Sequence, residues 1–160
     1  LLVIDADGLN QLARSSEGWR WLLKRSGPTW LTPHSGEFAR LFPDCHGETL
    51  PERAVAAAER SGAVVLLKGA HSVVAAPSGE VWQLTGTDPA AARTGFGDLL
   101  AGHAAGWGAR CLAAAGSVHA ADLAASALMH AQSAKRCDQG SSAGAVVSQL
   151  AAMTRERMRV

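Results

Sequence analysis

Ala63-Val64-Val65-Leu66-Leu67-Lys68-Gly69-Ala70-His71-Ser72 is the segment on which the architecture turns. Its first five residues are apolar without alternation, the pattern of a strand covered on both faces, and a lysine and a glycine follow where such a strand would end. Upstream, Pro51 to Arg60 has proline in its first turn and Gly62 just past its end, so it predicts a helix feeding the strand Ala63–Leu67. Downstream, Ser72 to Ala76 and Val81 to Leu84 flank Pro77-Ser78-Gly79-Glu80 and predict a hairpin.

Working outward, Leu1 to Ala6 is a second unalternating apolar run and predicts a strand buried on both faces, with a short helix or turn over Gly8 to Arg14. Glu17 to Arg25 places Trp19, Leu22 and Leu23 at helical spacing and stops at Ser26-Gly27-Pro28. Thr29 to Thr32 predicts a further strand, Ser35 to Phe42 a helix. Beyond the loop from Thr85 to Gly97 the chain turns alanine-rich, and three helices are expected: Asp98 to Ala115, Ser117 to Arg136 and Gly144 to Met158. Strands alternating with helices, then helices alone, predict an α/β domain with a mainly parallel sheet flanked by helices. No linker or internal repeat divides residues 1–160, which read as one domain.

The 160 residues are 48% hydrophobic, with 15 Lys+Arg against 14 Asp+Glu, so no broad cationic field is available for nucleic acid or an acidic membrane. No apolar run reaches the roughly 18–20 residues of a bilayer span, and no basic segment precedes Leu1. Cys45, Cys111 and Cys137 are odd in number and far apart, which suits reduced thiols in a cytoplasmic protein, and no CxxC or HExxH motif suggests a metal site.

Open parallel sheets hold their ligands at the carboxyl ends of the strands. Three clusters fall there: Asp5-Ala6-Asp7-Gly8, Thr32-Pro33-His34-Ser35-Gly36-Glu37 and Lys68-Gly69-Ala70-His71-Ser72. Asp5 and Asp7, two apart, would share a strand face and could hold a magnesium ion through water, or simply order the next turn. Thr32 and Pro33 suit an N-cap and a first helical position, leaving His34 either to contact a ligand or to close the helix start. Lys68 would meet phosphate, or snorkel from a strand end.

Thr94-Gly95-Phe96-Gly97-Asp98-Leu99-Leu100-Ala101-Gly102 runs from glycines straight into a helix. Converging backbone amides and a helix start can hold a phosphoryl group, and Asp98 in that turn could accept a proton from a hydroxyl held beside it. The plainer reading is a glycine turn whose acid complements the helix dipole. His46, His71, His103, His119 and His130 have no metal spacing and read as surface or packing residues.

Ile4-Asp5-Ala6-Asp7-Gly8-Leu9-Asn10, Leu31-Thr32-Pro33-His34-Ser35-Gly36-Glu37-Phe38, Leu66-Leu67-Lys68-Gly69-Ala70-His71-Ser72-Val73-Val74 and Gly95-Phe96-Gly97-Asp98-Leu99-Leu100-Ala101-Gly102, in this order, resemble the NAD(P)H-hydrate dehydratases of the ribokinase-like superfamily. The resemblance covers nearly the whole chain and implies a ribokinase-like fold whose N-terminal part is missing, since domains of this family run to nearly twice this length. It implies repair of hydrated NADH or NADPH at the expense of ADP or ATP, with Mg2+ attending the phosphates. Phosphate is passed to the ring hydroxyl and then eliminated.

The roles it implies are Asp98 as catalytic base and substrate contact, and His34 as a second contact to the hydrated dinucleotide. Lys68, Gly69, Ala70, His71, Ser72 and Gly97 would bind the nucleotide, and Gly95, Phe96 and Gly97 would form the anion hole. Asp5 and Asn10 belong to the first motif without an assigned role. Thr94 and Phe96 depart from the family's loop, where a glycine and a small hydroxyl residue are usual, so Phe96 is expected to set a large ring where a phosphate donor belongs. Ala145 stands where an acid is frequent. A small-molecule kinase of the same superfamily and a non-catalytic nucleotide-binding module stay open beside the dehydratase, as does homo-oligomerisation.

Overall fold

The computed structural model describes residues 1–85, 95–137 and 141–157. Its strands β1 (Leu2–Ile4), β2 (Thr29–Leu31), β3 (Val64–Leu67), β4 (Val73–Ala75) and β5 (Val81–Gln83) lie in one sheet in that order. β1, β2 and β3 run parallel, whereas β3–β4 and β4–β5 are antiparallel. The sheet is therefore mixed and not mainly parallel, because the hairpin anticipated around Pro77–Glu80 contributes as many pairings as the parallel part. Its turn closes through Gly79, whose φ of +86° only glycine adopts without strain.

Period-two alternation sorts the strand side chains. Leu31, Val65, Leu67, Val73 and Ala75 enter a core with Leu9, Phe38, Leu41, Phe42, Ala54 and Ala58, supplied by helices α1 (Ala6–Arg14), α2 (Ser35–Leu41) and α3 (Leu50–Ser61). Trp30, Leu66 and Val74 face the other way, against Leu100, Ala104, Leu123 and Ala127 of α4 (Phe96–Ala115) and α5 (Ala120–Lys135). Helices thus cover both faces, and each fully buried aliphatic side chain contributes roughly 1.5–3 kcal/mol. α6 (Ala143–Arg157) packs outside, joining α5 through Met129, Leu150 and Met153.

Local signals account for most of the element ends. Thr49 and Glu52 form a reciprocal capping box at the start of α3, Pro51 occupies its first turn, and Gly62 ends it in the left-handed conformation. Two expectations need correction. Glu17–Arg25 holds a 3-10 segment, Gly18–Lys24, with Leu22 alone fully buried, so its one-sided apolar face is too narrow to anchor a longer α-helix. β1 is half-buried instead of fully covered, since among the described residues β2 is its one strand neighbour. The predicted end of the last helix, Met158, lies outside the described residues.

α4 approaches the sheet closely at Gly108. A methyl group built there would lie 2.6 Å from Trp30 Cζ3 and would also meet Leu1, whereas at Gly102 and Gly106 nothing stands within 4 Å. Gly108→Ala should therefore cost about 1–3 kcal/mol through overpacking against the indole. Gly102→Ala in the same helix should gain about 0.5–1 kcal/mol from lower backbone entropy. Urea denaturation of the two variants checks the contrast, and equal effects would refute the close approach.

Candidate functional site

The parallel strands end side by side, and backbone bonds continue the ladder past them. Thr32 N–H donates to Ile4 C=O at 3.2 Å and Lys68 N–H to Pro33 C=O at 2.8 Å, while His34 and Lys68 form a parallel bridge. The three clusters singled out in the sequence therefore meet at one edge. Across it, Lys68 Nζ donates to Asp5 Oδ1 at 2.8 Å, with the lysine side chain 21% and the aspartate 9% exposed. Lys68 is thus anchored and does not snorkel freely. Ala6, directly after Asp5, takes a φ of +45°, a strained turn that leads the chain from β1 into α1.

His34 closes a helix start and does so itself, in place of the expected Thr32. Its Nδ1 accepts from Gly36 N–H at 3.0 Å and Glu37 N–H at 3.4 Å, while Glu37 Oε2 accepts from His34 N–H at 2.9 Å. Thr32 and Pro33 are buried below, still in the extended approach. With Nδ1 accepting, the neutral ring carries its proton on Nε2, which lies 3.4 Å from Glu37 Oε1 on a side chain that is 54% exposed. His34 is therefore a cap that keeps one edge toward solvent.

After β3, Ser72 Oγ accepts from Gly69 N–H at 3.2 Å and donates to Gly69 C=O at 3.1 Å, which ties Gly69–Ser72 into a compact turn. Ala70 and His71 are exposed on it. Asn10 Oδ1 accepts from Arg40 Nε at 3.0 Å, so this first-motif residue joins α1 to α2. Asp7 is exposed in the first turn of α1, so it does not share a strand face with Asp5. Among the described residues no three His, Cys, Asp or Glu side chains group as metal ligands.

The glycine segment enters α4 earlier than expected. Gly95 is the N-cap with φ +84°, and Phe96, Gly97 and Asp98 already form the first helical turn. Gly97 faces the ion pair: a methyl group there would sit 3.8 Å from Lys68 Nζ and 3.9 Å from Asp5 Oδ2. A helix N-terminus, with its partial positive charge, thus stands over the ends of β1 and β3. Asp98 is exposed and borders a cleft of about 500 Å³ between α4 and α6.

Phe96 corrects the expectation that its ring would obstruct the phosphate position. The side chain is only 3% exposed and turns away into Ala134 of α5 and Val146 of α6. Its backbone alone remains with the glycines. Thr94, the other departure, lies outside the described residues, and Ala145 is exposed on α6.

Two histidines read from the sequence as surface or packing groups prove to be internal. His103 lies between Ser126 Oγ, at 2.7 Å, and Thr154 Oγ1, at 3.0 Å, and stacks on Trp107. His130 is 4% exposed and meets the Phe96 ring edge-on, centroids 6.2 Å apart at 82°. Burial lowers the His130 pKa to about 4, helped by the neighbouring His103 and Lys68 and opposed by a hydrogen bond with the Phe96 backbone. No spacing rule marks His130, because its partner lies on another helix.

A model of the NAD(P)H-hydrate dehydratase family matches residues 2–156. Among curated proteins, the chain is 54% identical over 101 residues to the bifunctional NAD(P)H-hydrate repair enzyme Nnr of Gloeobacter violaceus, covering 63% of this chain and 19% of that protein. It is 44% identical over 129 residues to the enzyme of the same name from Salinibacter ruber, covering 78% and 23%. Among solved structures, the ADP/ATP-dependent NAD(P)H-hydrate dehydratase of Bacillus subtilis, co-crystallised with ATP and Mg2+, has a TM-score of 0.70 at 23% identity, over 96% of this chain and 54% of that one. A ribokinase-like superfamily protein of Enterococcus faecalis has a TM-score of 0.72 at 22% identity, over 96% and 52%. The fold is ribokinase-like. The chain spans about a fifth of the length of these curated relatives and just over half that of these solved ones.

Acid should destabilise the fold through His130. An unfolded histidine takes up a proton near pH 6.5, whereas the folded one resists until about pH 4. The stability that this group contributes is complete above pH 6.5 and is lost as pH falls toward 4, a decline of roughly 3 kcal/mol. Urea unfolding at pH 7 and pH 4 should show that decline and show it much reduced in His130→Leu; equal declines would contradict the assignment.

Proposed function

Since the chain belongs to the NAD(P)H-hydrate dehydratase family, we propose that the whole protein returns hydrated NADH or NADPH to the active cofactor at the expense of ADP or ATP. The observation that carries this reading is the placement of Gly97, in the first turn of α4, against the Lys68–Asp5 pair. A transferring phosphoryl group would there meet backbone amides from one side and an ammonium from the other.

In the proposed reaction the hydroxyl oxygen of the hydrated ring attacks the terminal phosphorus of the nucleotide. The bond to the departing nucleotide breaks, and the hydroxyl proton passes to Asp98. The C–O bond of the new phosphate ester then breaks, phosphate leaving with the bonding pair, while the neighbouring carbon gives up a proton to the departing phosphate or to water and its C–H electrons restore the double bond. Phosphorylation turns a poor leaving group into a good one, and the protein's task is chiefly positioning and electrostatics.

Lys68 and the turn Gly69-Ala70-His71-Ser72, with Gly97, would hold the nucleotide, and the backbone of Gly95, Phe96 and Gly97 the phosphoryl oxygens. His34, whose Nδ1 is engaged in capping, would meet the dinucleotide through its Nε2 edge. Mg2+ would arrive with the incoming nucleotide and would reduce the charge on its phosphates. No described helix is long and apolar enough to cross a membrane, and repair of these cofactors fits a cytoplasmic protein.

The test uses the full-length protein with hydrated NADH and either nucleotide. Nicotinamide absorbance should recover with release of phosphate, and Asp98→Asn should lower kcat by roughly 10²–10⁴-fold, the range for loss of a general base. A stable phosphorylated product without elimination would favour a small-molecule kinase, and nucleotide binding without turnover would favour a non-catalytic module. Gly97→Ala separates site from scaffold. Its methyl group has ordinary contact distances, so thermal stability should hold while nucleotide KM rises about tenfold from the filled hollow. An unchanged KM would move the phosphoryl position elsewhere.

A further inference from the structure

The first turn of α4 carries glycine on both sides of Phe96, so Gly95 and Gly97 provide no side chain to fix their own backbone. Phe96 is the anchor of that turn, and its ring leads away from the strand ends into α5 and α6. On α5 it meets His130, edge to face, with ring centroids 6.2 Å apart. Among the described residues Nε2 of His130 has no hydrogen-bond partner. The residue that its ring meets edge-on lies between the two glycines.

We infer that His130 is a positioning residue for the phosphoryl-binding turn: by packing edge-on against the ring of Phe96, it holds Gly97 over the Lys68–Asp5 pair. His130 acts through Phe96 and touches no substrate. The inference rests on the reading of this turn as the phosphoryl site. It also explains how a large aromatic residue is accommodated at position 96: the ring that would obstruct phosphate if it faced the strand ends is held in the α5–α6 layer with an imidazole as its companion.

A residue that merely fills space and one that positions the turn differ in two readouts. In the full-length protein, His130→Leu should lower kcat/KM for the nucleotide by about ten- to a hundredfold, the scale of small misplacements of a reacting group, with the KM for hydrated NADH within threefold of wild type. Phe96→Leu should behave similarly, and the double variant should be no worse than the poorer single one, because both substitutions break the same link. Wild-type kinetics in His130→Leu, or effects that multiply in the double variant, would overturn the inference.

Should His130→Leu fail to fold, His130→Asn, which stays polar but has no aromatic ring to meet Phe96, serves in the same cycle with Phe96→Leu under the same two criteria. Calorimetric ATP affinity of the same proteins keeps the two ideas apart. If wild type binds ATP but repairs no hydrated cofactor, the proposed reaction fails, while an ATP Kd raised about tenfold or more in His130→Leu still supports the positioning role. An ATP Kd unchanged by His130→Leu rejects it, and a wild-type protein that does not bind ATP removes the phosphoryl site and this inference together.

Discussion

Lys68 and Asp5 stand 63 positions apart in sequence, at the ends of β3 and β1, with β2 between them. Strands two places apart in a sheet are separated by roughly 10 Å, so the pair closes only because a long lysine stem reaches over the end of β2 to a carboxylate turned toward it. Little of either group is exposed, and loss of one partner would leave a largely buried charge at a cost of roughly 3 kcal/mol. The pair fixes the direction of Lys68, holds the exits of three strands together, and creates the polar floor over which α4 begins. Gly97 brings the helix start to that floor, where a methyl group would lie in ordinary contact with Lys68 Nζ and Asp5 Oδ2.

α4 is set in place at two points. Gly108 permits the helix to lie against Trp30, and Phe96 ties its first turn to His130 of α5. Twelve residues of helix separate them, about 18 Å. With the far end wedged against the sheet, a small tilt of the near end would displace Gly97 relative to Lys68, so the geometry of the turn depends on the Phe96 anchor more than on either glycine. The alanine-rich composition of α4 and α5 serves the same arrangement, since Ala104, Ala124 and Ala127 let helix backbones come close to the sheet and to each other.

Legibility from the sequence followed the range of the interaction. Apolar runs, Pro51 in the first turn of α3 with Gly62 past its other end, and the Pro77–Glu80 turn are local signals, and the elements formed within a residue or two of where those signals placed them. The meeting of the Asp5, His34 and Lys68 clusters followed from topology, because parallel strands exit on one side. Pairwise partners were not legible: nothing near Lys68 names Asp5, and nothing near Phe96 says whether its ring faces the strand ends or α5. His34 as a cap was obscured for a different reason. Threonine is the commoner capping residue, and only the extended backbone through Thr32 and Pro33 moves the cap two positions along.

The capping role of His34 constrains the site. An imidazole that accepts two amides at Nδ1 cannot also rotate to present that nitrogen, so only its Nε2 edge and ring face remain for a ligand. Glu37 fixes the same ring from below through the reciprocal bond to His34 N–H and its proximity to Nε2. The histidine is consequently pre-oriented by the start of α2, as Lys68 is by Asp5 and Gly97 by the start of α4. Three side chains or backbone groups from distant parts of the chain are thus held before any ligand arrives, and little ordering cost is left to oppose binding. Asp98 alone projects without such restraint from the exposed side of α4. In the proposed reaction a proton-accepting carboxylate would gain from that exposure, because its hydrogen bond can tighten once the reacting atoms are in place.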